Sequence, residues 1–471
     1  MRRLALAVLG GACFSLAWSL AIPLLASPDE PAQMFAAAAL ADGQVKTTQI
    51  PVMDLGLQSQ VDLPLPLTRL EHFADCIVTV VGSTAACLEA PGPGAPNLVT
   101  TQFGRYPPTY YAVAGLPTKV FDGIRAVRAM RMLSAALTGA LVGLGLWVLS
   151  RFHRSSLALA GGAVALSPAV FGLTAVINAS ALEVSAAFAT WCGLSALLSR
   201  DDAPPALLAC TAGPLALFLA SRPVSPLWAA IALVVTGAVA GRARLGSLLR
   251  SRATWWAAVP VGVAAVGWIV WTAIMGTPPL LGRPPLIGGN REGLRVQLEA
   301  LPDRLQSTMG NLLAVPAPLW ILGVYTGALV VLGIAAWRWN RRGLVGAVVL
   351  VGLAVVSASI LELKRFDDIG PWWQARYSVP LLIGMPLLLV SRSQASPSRR
   401  ARSVLGAAAV GVHLAALAWA VHRFGVVPGG GWSPSAFEWR PPHLWLFLGL
   451  VVVGAWAVWL TFRGPVADRE T

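Results

Sequence analysis

Apolar residues run for roughly twenty positions at a time along most of this chain, interrupted by short charged or proline-rich breaks. A helix of that length crosses about 30 Å of hydrocarbon. The pattern predicts spans at 4–26, 130–150, 156–177, 181–199, 204–220, 227–240, 254–274, 317–337, 343–361, 378–391, 403–421 and 443–461. Barrel strands would alternate apolar and polar residues, and these runs do not. The expected fold is therefore all-α, a polytopic transmembrane bundle of about twelve spans, with residues 1–471 forming a single integral membrane domain.

The polar segments between the runs are uneven. The longest connection, 27–129, is too long for a turn and is expected to hold interfacial helices at 32–41 and 109–121. A second large loop covers 275–316, with an amphipathic piece from Glu292 to Met309, and shorter polar segments follow at 362–377 and 422–442. No internal repeat and no separate soluble domain is visible.

Composition agrees with the pattern: 56% of residues are hydrophobic, 12% are charged and the mean hydropathy is +0.68. The net charge of +14 points to topology and not to nucleic acid. With both termini in the cytoplasm, the whole excess falls on the short inner segments and the long outer ones balance to zero, as the positive-inside rule asks. That orientation places the long polar loops on the outer face. The apolar stretch Leu4–Ala26 exceeds a signal-peptide core, and Leu24 stands where a small residue is preferred, so it reads as an uncleaved anchor. Cys76 and Cys87 share the first outer loop, where an oxidising compartment favours a disulfide over two free thiols.

Chemistry gathers at the outer boundaries. Asp29 and Glu30 follow the first span; Ser27-Pro28-Asp29-Glu30 fits a capping box, weakened by Pro31. The alternative is a carboxylate whose partial desolvation raises its basicity enough to take a proton from a sugar hydroxyl. Arg125, Arg128, Arg131, Arg222 and Arg376 lie at the same boundaries, where they either snorkel to lipid headgroups or cradle a lipid-linked phosphate. Tyr106, Tyr110, Trp372, Trp373 and Gln374 form an aromatic belt or an acceptor-binding surface. Asp367 and Asp368 are solvated loop carboxylates or hard ligands that, with Asp29 or Glu30, would suit Mg2+ or Mn2+. Walker, HExxH, GxSxG and dinucleotide motifs are absent, which disfavours ATP-driven transport, zinc proteolysis and serine hydrolysis.

The segments PDEPAQMFAAAALADGQ (28–44), RYPPTYY (105–111), RMLSAAL (131–137), INASALEV (177–184) and WWQARYSVPLL (372–382) resemble the DUF2142 family of bacterial polytopic membrane proteins, over about 4–461. The layout is similar to the GT-C glycosyltransferases, which use polyprenyl-phosphate sugars. The resemblance implies that Asp29 corresponds to their acidic base or metal ligand, with Glu30 beside it, and that Arg376 is a donor-phosphate residue. Gln33 and Ser180 depart from the family pattern, where His and Asp are expected, and so remove titratable groups. The implied partners are a polyprenyl-phosphate-linked sugar, a cell-envelope glycan or lipid acceptor, and membrane lipids. A lipid or polysaccharide flippase, or a metal-independent glycan polymerase or ligase, is the alternative.

Overall fold

The computed structural model describes residues 2–52, 56–80, 82–88, 97–276, 318–363, 374–395 and 397–463, together with Arg295 and Glu299. Its helices are α1 (Arg2–Ala21), α2 (Glu30–Ala41), α3 (Leu65–Thr68), α4 (Asp75–Thr79), α5 (Pro108–Ala114), α6 (Gly123–Phe152), α7 (Leu157–Ala165), α8 (Pro168–Thr174), α9 (Ala179–Leu198) and α10 (Pro205–Leu219). They continue as α11 (Ser225–Ala240), α12 (Arg242–Arg250), α13 (Arg252–Met275), α14 (Leu319–Trp339), α15 (Arg341–Leu363), α16 (Val379–Leu382), α17 (Gly384–Val390), α18 (Arg399–Gly425) and α19 (Leu444–Arg463).

Among the described residues, eight helices are long and apolar enough to cross a membrane: α1, α6, α9, α13, α14, α15, α18 and α19. Two bent pairs, α7 with α8 at 63° and α11 with α12 at 113°, bring the total to ten. Each run expected to span is helical, but 205–219 and 379–390 give short helices. The third run is broken where Pro168 opens α8, because proline suits a first helical position and not an interior one.

The centre of the bundle is α9, whose apolar window is 94% buried. Trp191 on α9 donates its indole N–H to Pro380 O at 3.0 Å, and Ser195 reaches Leu387 O at 2.9 Å. Against it lies α6, which packs in turn on α1. That last contact depends on missing side chains: a Cβ on Gly11 would lie 2.1 Å from Gly139 O, and one on Gly143 2.2 Å from Ala7 O. Small residues four apart on both helices let the backbones touch, the usual basis of helix association in lipid. By contrast α13, α14 and α15 leave large apolar side chains exposed, among them Trp256, Val263 and Val348, which is surface for lipid to cover.

The first long connection holds an element the apolar pattern did not announce. Strands β1 (Thr48–Val52), β2 (Gly56–Asp62) and β3 (Leu98–Thr101) form an antiparallel sheet in that order, with Thr48 opposite Gln60 and Ser59 opposite Thr101. Thr101 binds Ala32 O at 2.6 Å and so fastens the sheet to α2. Packed against this sheet and α5, α2 is largely buried. Gly115, just past α5, allows the close approach: a Cβ there would meet Ala37 O at 2.1 Å. Cys76 and Cys87 are joined by a disulfide, Cα atoms 6.2 Å apart.

Candidate functional site

The chain turns between α1 and α2 through two left-handed residues, Leu25 (φ 62°) and Asp29 (φ 65°). Leucine pays a steric penalty there, whereas aspartate tolerates the conformation. As a result α2 begins two residues later than a capping box requires. Asp29 flanks the helix without a side-chain cap, Glu30 is its first residue, and Pro31 sits in the first turn, where its missing N–H costs nothing.

This turn sends the two adjacent carboxylates in different directions. Glu30 is fully buried and grips Arg131: Nε to Oε1 at 2.9 Å and Nη2 to Oε2 at 3.0 Å. Arg131 also donates to Ser19 O at 3.3 Å and Ile22 O at 2.7 Å, satisfying carbonyls at and just beyond the end of α1. Glu30 Oε1 accepts the Ile177 N–H at 3.0 Å. One ion pair thus braces α1, α2, α6 and the turn before α9. Burial pushes the Glu30 carboxyl above its ordinary range, opposed by Arg131 and the Ile177 N–H.

One turn along α2, Gln33 serves the same interior. Its Oε1 accepts the Tyr111 hydroxyl at 2.5 Å and the Ala179 N–H at 3.2 Å, and its Nε2 donates to Asn178 Oδ1 at 3.3 Å. Tyr110 accepts the Asn178 N–H at 2.8 Å and shares a 2.9 Å bond with Ser134. Burial raises the Tyr110 and Tyr111 hydroxyls above their usual range, so both remain neutral.

Asp29 behaves differently. Its side chain keeps 29% of its exposure and accepts a hydrogen bond from Arg376 Nη2, whose side chain is 13% exposed. The Arg376 guanidinium lies 5.5 Å from the Tyr377 ring centre, and Arg222 lies 4.8 Å from the same ring and 5.9 Å from that of Tyr106. Arg222 donates to Glu183 at 2.9 Å, and Ser225 holds the other Glu183 oxygen at 2.7 Å. Buried and part-buried aromatic and cationic groups from three distant segments, Tyr106, Arg222 and Arg376–Tyr377, therefore gather near one part-exposed carboxylate.

A family model described as a predicted membrane protein, DUF2142, matches residues 13–385. The chain belongs to the DUF2142 family. The match leaves out most of α17 and all of α18 and α19, a shorter reach than the motifs suggested. Nothing among the curated proteins or the solved structures matches this chain.

Within this DUF2142 protein the motif segments converge, although their side chains divide between two tasks. Glu30, Arg131 and Tyr110, expected at a catalytic centre, donor phosphate and acceptor respectively, are buried with internal partners. Asp29, Arg222, Arg376 and Tyr106 stand together. Arg125 and Arg128 are exposed on the first turns of α6 and join none of these contacts, since three-residue steps carry Arg131 alone round to the buried face. Gln374 is exposed; Trp372, Trp373, Asp367 and Asp368, like nearly all of 275–316, lie outside the described residues.

Among the described residues no three Asp, Glu, His or Cys side chains come together as a metal site. Both carboxylates of the pair already hold a guanidinium, and Asp367 and Asp368, the other expected ligands, lie outside the described residues. Sequence reading missed Tyr377, Tyr111 and the Glu183 tether. An arginine facing Glu183 from the Ser221–Ser225 turn was the available signal.

Proposed function

We propose that this membrane protein is a glycosyltransferase that moves a sugar from a polyprenyl-phosphate donor to a cell-envelope glycan or lipid acceptor. The observation that carries the reading is the meeting of Asp29 with Arg376 beside Arg222 and Tyr106: a reachable base and two guanidinium groups share one aromatic-lined spot. In the reaction the acceptor hydroxyl oxygen bonds to the sugar's anomeric carbon while the bond from that carbon to the phosphate oxygen breaks. Asp29 takes the hydroxyl proton, and the leaving polyprenyl phosphate keeps the electron pair, its charge met by Arg376 and Arg222. Tyr106 and Gln374 are suited to hold acceptor hydroxyls, and the expected setting is the outer face of a bacterial inner membrane.

The test is the envelope glycan profile of a deletion strain carrying either the wild-type chain or Asp29→Asn. Loss of one sugar, restored by the wild type alone, supports the reading. Full restoration by Asp29→Asn overturns the base assignment. An unchanged glycan profile with altered lipid distribution between leaflets favours a flippase.

A further inference from the structure

The two guanidinium groups on Tyr377 are held unequally. Arg222 is tied to Glu183, a fully buried carboxylate whose second oxygen is bound by Ser225. Arg376 is tied to Asp29, which is part-exposed and stands on a left-handed residue. On each arginine the Nε is buried without a hydrogen-bond partner among the described residues. A buried guanidinium donor left unmet is costly, and a planar fork of this kind suits a phosphate, which offers several acceptor oxygens where a carboxylate offers two.

We infer that Arg222, Arg376 and Tyr377 form a phosphate site and that Asp29 fills it from within when phosphate is absent. The inference rests on the donor-phosphate reading above and adds a sequence of events. An incoming phosphate competes with the Asp29 carboxylate for Arg376. Glu183 is not displaced, because removing it would strand two buried donors, whereas Asp29 can turn toward solvent. Once Arg376 has moved to the phosphate, the Asp29 carboxylate has lost its partner and is free to meet the acceptor hydroxyl. The base is thus released by the donor that needs it, and in the empty protein it stays capped. The phosphate source follows from the binding experiment: a lipid phosphate or a free phosphate would present the same oxygens to the two arginines.

The expectation is unusual for a catalytic residue, since removing it should improve binding. Purified full-length protein in phosphatidylcholine nanodiscs is titrated with farnesyl phosphate, with inorganic phosphate and with farnesol. If the pair is closed for about nine-tenths of the time, Asp29→Asn should tighten phosphate binding roughly tenfold. Asparagine accepts the left-handed backbone, so the loop is retained, and an unchanged melting temperature checks it. Arg376→Gln should abolish the gain in the double variant. Tighter binding of farnesyl phosphate alone identifies a lipid phosphate, and equal tightening with inorganic phosphate identifies a site for the free anion. If Asp29→Asn binds no tighter while Arg376→Gln still weakens binding, the self-occupied site is wrong and the donor reading stands. If no phosphate binds to wild type or variant, both fall.

Discussion

Glu30 loses all its exposure among α1, α2, α6 and the turn before α9, whereas Asp29, its neighbour in the chain, keeps 29% and meets an arginine 347 residues away. Both carboxylates have a guanidinium partner, yet the surroundings make the pairs unlike. Four elements depend on the Glu30–Arg131 pair, which has one charge-assisted hydrogen bond and a second close ion contact between its partners, with further backbone ties. The Asp29–Arg376 pair has a single hydrogen bond and open solvent beside it. Burial turns an ion pair into a brace because neither partner can be left alone, while exposure leaves it exchangeable.

Breaking the brace should therefore be the most damaging change. Arg131→Ala strands a buried carboxylate, and the expected loss is about 3–5 kcal/mol, read as a collapse of folded yield and melting temperature in detergent. A normal melting curve would contradict the structural role of the pair. Asp29→Asn should leave that curve almost in place while lowering sugar transfer by roughly 10²–10⁴-fold, the usual range for a lost general base. The contrast between the two variants is the sharpest comparison, and equal stability losses would abolish it.

Smaller effects are expected farther out. Replacing Cys76 and Cys87 by serine removes a cross-link over 11 residues, and loop entropy predicts about 2–3 kcal/mol, confined to the sheet-bearing connection and visible as faster proteolysis there. The smallest concerns Asp42, whose carboxyl a hydrogen bond from Lys119 at 2.9 Å holds below its ordinary 3.8. A depressed carboxyl stabilises the fold above pH 3.8 and loses that contribution as pH falls through its lower folded value. Both groups are about half exposed, so screening discounts the pair to well under about 1 kcal/mol. Asp42→Asn should therefore erase only a slight stability change below pH 3.8.

Much of the bundle was legible in the chain because each span satisfies its own backbone, and a run of about twenty apolar residues has few alternatives in lipid. The start of α2 was legible only in part. A capping box assumes that the chain enters the helix through an extended residue, and the left-handed Asp29 shifts the first turn by two positions. The sheet escaped notice since its strands are short and depend on Thr101 docking to α2 for a partner.

By itself, then, the sequence determined the helices, their apolar faces and the short list of charged residues at their ends. Which carboxylate serves and which one braces was decided only in three dimensions. Local sequence treats Asp29 and Glu30 as nearly equal; their difference comes from where Arg131, Ile177 and Arg376 arrive, and those positions are fixed by helices packing from far along the chain. Exposure of a side chain is a property of everything folded around it, and no window of residues around position 29 contains that information.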